Sequence, residues 1–230
     1  MKKNIEKEKK YFWNMINEYS SYALTGLEYN KLNEKQVDEF MNNNLKNNES
    51  GYPQYMTFIR HFGEAIPNKR AVKEIIKFTD GESILEIGSG MGLWAYILQL
   101  YGATVYPTDN FPHLPKYLAK PQANLLAKPQ ASLLGYNFTN IERIDSMQAL
   151  KKYNNIDVLL LWEDIYNTAH KTLKHFKGNR LIFIGELMED ASISLIELLE
   201  KNWKIYKRIE LKSLIIAGRL DDDVYLFIRK

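Results

Sequence analysis

The stretch Ser83-Ile84-Leu85-Glu86-Ile87-Gly88-Ser89-Gly90-Met91-Gly92-Leu93-Trp94 reads as a short buried strand, a glycine turn and the first turn of a helix. Glu86 stands two positions before the first of three alternating glycines. Glycine tolerates unusual dihedrals and carries no Cβ, so backbone there can approach a bulky ligand while the carboxylate faces the same crevice. Two phosphate-binding patterns are tested by the spacing. A dinucleotide turn, G-x-G-x-x-G, needs its third glycine at position 93, where this chain has Leu93. A P-loop needs Lys followed by Ser or Thr after the glycines, and none follows. A pyrophosphate gains little from a carboxylate beside the turn. A ligand with a positive charge and a free amino group fits Glu86 better.

Outward from this turn the chain alternates strands and helices. Strands are expected at 83–87, 103–107, 140–144, 156–162, 180–184, 204–211 and 224–229, and helices at 91–100, 147–152, 166–176 and 191–201. The near-continuous apolar run 156–162 suits a central parallel strand buried on both faces. The last two strands have no convincing helix between them, so they are expected to pair antiparallel. The fold class is therefore α/β: a doubly wound, mostly parallel seven-stranded sheet with an antiparallel C-terminal hairpin. Ligands of such sheets lie outside the carboxyl ends of the strands, where the strand order reverses. Residues 1–78 read as a helical N-terminal extension or lid, and 79–230 as the main domain with an insertion near 111–137. Tyr11, Phe12, Trp13, Met15, Ile16 and Tyr19 recur at helical spacing, more simply a helix packed on the main domain than a ligand site. Further helices are expected at 34–45 and 68–78.

Composition narrows the classes. The 230 residues contain no cysteine, which excludes disulfides and thiolate metal sites. His170 and His175 are five apart, not the spacing of a helical metal-binding pair. No signal-peptide core follows the charged start, and the apolar runs are far shorter than a membrane span, so a cytoplasmic protein with no membrane partner is expected. The formal charge of +3 does not by itself indicate nucleic acid. Oligomeric state is not legible.

Glu86-x-Gly88-x-Gly90-x-Gly92 resembles the first motif of the class I S-adenosylmethionine-dependent methyltransferases, whose cofactor is a sulfonium amino acid joined to adenosine. The resemblance implies that Glu86 and the backbone around Gly88, Ser89, Gly90 and Gly92 hold the methionine portion. Asp109, about twenty residues past the glycines, stands where a ribose-binding acid is expected, with Asn110 beside it. Asp145 and Ser146 are implied at the adenine, although Asp-Ser is also an ordinary helix N-cap. Trp94 and Trp162 are candidate cofactor contacts. The acceptor side falls to Glu163, Asp164 and Tyr166, where a carboxylate would take a proton and Trp162 or Tyr166 would wall the reacting methyl. Charges at a helix start account for Glu163 and Asp164 equally well.

A narrower likeness, over roughly residues 62–229, is to a group of poorly characterised methyltransferase-like proteins. Ala65-Ile66-Pro67, Trp94, Leu159-Leu160-Leu161-Trp162 and Phe183-Ile184-Gly185-Glu186 carry it. That group tends to have Trp-Pro-Pro at the fourth strand. Here Trp162-Glu163-Asp164 stands instead, and the Asp/Asn-Pro-Pro-Tyr motif of amino-directed nucleic-acid methyltransferases is absent. The expected function is methyl transfer from S-adenosyl-L-methionine to an unidentified acceptor; the alternative is an inactive cofactor-binding or scaffolding protein on the same fold. A tandem octapeptide, Leu-Ala-Lys-Pro-Gln-Ala-Asn/Ser-Leu at 118–125 and 126–133, is too short a repeat for a solenoid. It is expected to form a loop or a pair of short helical turns, and its position after Asp109 suits a lid over the adenosine half of the cofactor.

Overall fold

The structure is a computed structural model and describes residues 2–20, 65–110, 138–162, 167–211 and 222–230. The expected helix at 34–45, the octapeptide repeat at 118–133 and the candidate acceptor residues Glu163, Asp164 and Tyr166 lie outside them.

The elements run α1 (Lys2–Ser20), α2 (Lys69–Thr79), β1 (Ile84–Ile87), α3 (Leu93–Leu100), β2 (Val105–Asp109), β3 (Glu142–Arg143), α4 (Ser146–Lys152), β4 (Val158–Leu161), α5 (Thr168–His175), β5 (Arg180–Gly185), α6 (Leu187–Asp190), α7 (Ile193–Asn202), β6 (Trp203–Glu210) and β7 (Asp223–Arg229). The strands form one seven-stranded sheet in the order β3-β2-β1-β4-β5-β7-β6. Pairing is parallel from β3 to β5, and antiparallel from β5 to β7 and from β7 to β6. The order reverses between β1 and β4, which lie side by side. This is the architecture that the resemblance to class I methyltransferases implies.

Strand alternation sends side chains to two helical layers. Ile84, Val158, Leu160, Ile182, Ile184, Val224 and Leu226 pack with α1, α2 and α3. Leu85, Ile87, Leu159, Leu161, Leu181, Phe183 and Phe227 pack with α4, α5 and α7. Every residue of β1 and β4 is buried, as central parallel strands require. Each such Leu or Ile contributes about 1.5–3 kcal/mol by leaving water.

The N-terminal helix belongs to the first layer. Phe12, Trp13 and Ile16 enter the same core as α3, and Trp13 donates its indole N–H to the Tyr101 hydroxyl at 3.1 Å. Asn68 caps α2 by accepting from the Ala71 amide, while its side-chain amide donates to the carbonyls of Glu210 and Leu211. Trp94 donates its indole N–H to the Ala65 carbonyl at 2.8 Å, which ties the segment before α2 to α3.

Several element limits differ from expectation. Helix α3 starts at Leu93 rather than at 91, because its N-cap, Gly92, has φ 77° and cannot continue a right-handed helix backwards. β2 runs two residues beyond the expected 107, and β3 has two residues rather than five. The four-residue α6 was not expected. β6 carries an irregularity between Ile205 and Lys207.

Gly92 is glycine for reasons of packing. A Cβ there would stand 2.9 Å from Thr139 Cγ2 and 3.2 Å from Ile141 Cδ1, besides the left-handed φ. Gly90 is also left-handed, at φ 54°, but a Cβ there meets nothing within 4 Å. Left-handed strain costs an L-residue about 1–2 kcal/mol, and overpacking adds about 1–3. Urea unfolding should therefore show Gly92→Ala losing about 2–5 kcal/mol and Gly90→Ala about 1–2. Equal losses would refute the packing role of Gly92.

Candidate functional site

Glu86 is fully buried on the α3 side of the sheet, in the same row as Ile84. Strand periodicity dictates that placement: the residue between Leu85 and Ile87 must face the layer opposite to theirs. The register is fixed beside it, where the Thr108 hydroxyl donates to the Glu86 carbonyl at 2.8 Å. One carboxylate oxygen, Oε1, accepts from the indole N–H of Trp162 at 3.2 Å. The other, Oε2, is buried and has no hydrogen-bond partner among the described residues; the same holds for the Ser89 hydroxyl on the adjoining turn.

Burial raises the Glu86 carboxyl from its ordinary 4.5 to about 8. The Trp162 hydrogen bond works against that, the negative charge of Asp109 adds to it, and the Ala95 amide of α3 opposes it. A cation placed beside a carboxyl held in this way favours its ionised form, so such a ligand group would displace the carboxyl proton as it binds.

The glycine turn spends its own donors inside the fold. The amides of Gly88 and Ser89 donate to the Thr108 carbonyl at 2.9 and 3.1 Å, prolonging the β1–β2 ladder. The Gly90 amide donates to Asp109 Oδ2 at 2.9 Å, and the Gly92 amide to the Ser89 carbonyl at 2.8 Å. A phosphate cradle needs such amides aimed outward at an anion. Here they are committed, and a buried acid lies beneath them. The geometry thus favours a cationic ligand group over a pyrophosphate.

The candidate residues are distributed as follows. Glu86, Gly88, Ser89, Gly90, Asp109 and Trp162 meet at the carboxyl ends of β1, β2 and β4, beside the reversal of strand order. Asp109 is half-buried and closes the turn through Gly90, and Asn110, the next residue, is exposed. Trp94 is 1% exposed and packs edge-on against Trp162, ring centres 6.2 Å apart, so it supports the site from below. Gly92 is likewise buried, under the segment 139–141. Asp145 is the exposed N-cap of α4; its Oδ1 accepts from the amides of Met147 and Gln148, both at 2.9 Å, in a capping box with Gln148. Ser146 is the first residue of that helix.

Three contributors escaped the sequence reading: the Trp162–Glu86 hydrogen bond, Thr108 as the acceptor and donor that sets the turn, and Ala65 as the anchor of Trp94. Trp162 and Glu86 are separated by 76 residues, and no local pattern announces such a contact.

No protein-family model matches the sequence, and no curated protein does. Solved structures similar to the chain include a ribosomal protein L11 methylase from Lactobacillus delbrueckii subsp. bulgaricus (TM-score 0.41, 18% identity, 73% of this chain and 82% of that one). Another is a magnesium protoporphyrin IX methyltransferase from Synechocystis PCC 6803 with bound SAM (TM-score 0.47, 14% identity, 86% and 98%). A third is a Streptococcus mutans protein assigned as a SAM-dependent methyltransferase (TM-score 0.44, 12% identity, 70% and 48%). The chain spans about half the length of that last protein.

The raised Glu86 carboxyl has a measurable sign. The folded state holds its proton between the unfolded value of 4.5 and the folded value of about 8, while the unfolded state releases it. The stability linked to this proton is complete below pH 4.5, declines as pH rises, and is gone above about pH 8. Urea unfolding from pH 5 to pH 9 should show that decline in the wild-type protein. In Glu86→Gln the component should vanish, and an unchanged slope would place the titration elsewhere.

Proposed function

We propose that the chain binds S-adenosyl-L-methionine and transfers its methyl group to an acceptor, and the observation that carries this reading is Glu86 Oε2, buried with no hydrogen-bond partner among the described residues. A burial of this kind is costly unless a positive group completes it. An amino-acid ammonium meets that need, and the neighbouring Ser89 hydroxyl is a second buried polar atom with no partner among the described residues. Both sit at the switch point of a doubly wound sheet, where ligands of such folds bind.

Under this reading Glu86, Ser89 and the Gly88–Gly90 backbone hold the methionine portion, Asp109 the ribose, and Asp145 the adenine. The cofactor, when bound, supplies a methyl group already activated by its sulfonium. What remains for the protein is alignment and the exclusion of water. Trp162 and the buried Trp94 behind it give the site an apolar wall. Glu163, Asp164 and Tyr166, which follow Trp162 directly in the chain, are assigned to the acceptor side; a carboxylate there removes the acceptor proton. A non-catalytic cofactor-binding protein is the rival reading, favoured by the absence of prolines after Trp162.

Calorimetric titration with S-adenosylmethionine, S-adenosylhomocysteine and NAD separates the possibilities. We expect binding of the first two and not of NAD, and a loss of about tenfold or more in Glu86→Gln, as for a charge-assisted hydrogen bond of 1.5–3 kcal/mol. Binding of NAD alone would overturn the cofactor assignment. For catalysis, Glu163→Gln and Asp164→Asn are each expected to keep cofactor affinity, and the one that supplies the base should lose turnover. Cofactor binding with unimpaired turnover in both variants would place the base elsewhere.

A further inference from the structure

The two oxygens of Glu86 are treated differently. The Trp162 indole N–H donates to Oε1 at 3.2 Å, whereas Oε2 is buried without a partner among the described residues. Trp162 follows directly on β4 and is itself held from two sides. Its ring lies edge-on to Trp94, at 6.2 Å between centres and 71° between planes, and Trp94 is anchored to the Ala65 carbonyl at 2.8 Å. On the other flank, Trp162 Cδ1 lies 3.8 Å from where a Cβ of residue 88 would stand, so Gly88 leaves the indole ordinary contact distance. The ring is thus wedged with its N–H aimed at one carboxylate oxygen.

We infer that Trp162 is a positioning residue: its indole N–H fixes Glu86 Oε1 and presents Oε2 as the acceptor for a ligand ammonium. A carboxylate free to turn about its last torsion offers either oxygen and loses that freedom only on binding. Fixed by Trp162, Glu86 has lost it beforehand, and pre-organisation of this sort strengthens binding without adding a contact. A neutral N–H donor also favours the carboxylate over the carboxylic acid, so the bond that aims the group helps it ionise in an apolar setting. The inference rests on the cofactor reading for the identity of the ammonium, but the Trp162–Glu86 link itself does not.

The test compares the wild-type chain with Trp162→Phe, which keeps an aromatic ring and removes the N–H. The probes are S-adenosylhomocysteine, which carries the ammonium, and methylthioadenosine, which lacks it. Trp162→Phe should bind S-adenosylhomocysteine about ten- to a hundredfold more weakly, the range of a hydrogen bond to a charged group. It should bind methylthioadenosine within about twofold of wild type. The pH at which S-adenosylhomocysteine binding reaches half its limit should also move upward. Equal weakening of both probes marks Trp162 as mere packing and overturns the inference, as does no weakening of either.

A second measurement needs no Trp162 variant and no ligand. In wild-type protein with nitrogen-15-labelled tryptophan, the Trp162 indole proton should titrate with Glu86, near pH 8. In Glu86→Gln it should be flat. An indole signal that does not titrate in the wild type overturns the inference. If the wild type binds neither probe, the cofactor reading fails, and the indole titration still decides the role of Trp162.

Discussion

A carboxylate in the middle of a hydrophobic sheet is the constraint around which this molecule is arranged. Glu86 takes a place that alternation along β1 reserves for an Ile or a Val, and it is as buried as its neighbours. Leaving an acid there without compensation costs several kcal/mol, so the surroundings have to answer it. The answer comes from two elements: the Trp162 indole after β4 and the Ala95 amide in the first turn of α3. Asp109 works the other way, since its negative charge makes ionisation of Glu86 harder. The site is therefore tense in its resting form, with one acid neutralised by its burial and a second one bound to the turn.

The rest of the fold explains why these elements meet. β1 lies between β2 and β4, and the strand order turns around there. Three strand ends therefore deliver Glu86, Asp109 and Trp162 to one small area. Ile87 pairs with Thr108 on one side and with Leu161 on the other, so Glu86 lies one residue before that row and Asp109 and Trp162 one residue after it. The left-handed glycines then fold the chain back over Glu86, so that α3 points its amino end at the acid. Trp94, in the first turn of α3, reaches down to Ala65 and makes the segment before α2 part of the support.

How far the sequence foretold this depends on the range of the interaction. The strands were legible because burial on both faces leaves a run such as Val158-Leu159-Leu160-Leu161, and the antiparallel end followed from the lack of a crossover helix. Glu86 was legible as a candidate site residue because a lone acid within an apolar strand, before three alternating glycines, has few structural explanations. The reason for each glycine was less open. Gly92 reads as part of a ligand turn, yet the side chains of Thr139 and Ile141 decide its identity, and they lie nearly fifty positions away. Asp145 shows the opposite case: both readings of Asp-Ser were open, and the capping box is present in the fold. Contacts such as Trp162 to Glu86 depend on tertiary placement and leave no periodic trace in the chain.

The two edges of the sheet carry a consequence of their own. At one edge β3 offers only two residues for pairing, and at the other β6 is interrupted between Ile205 and Lys207. Short and irregular edge strands are poor templates for a further strand. Ile205 and Tyr206 are about half exposed on β6, and Lys204, Lys207 and Arg208 are interspersed with them. A flat, regular strand with those apolar side chains would invite a second chain to add to the sheet. The irregular register of β6 and its interspersed cations discourage such an addition at that edge.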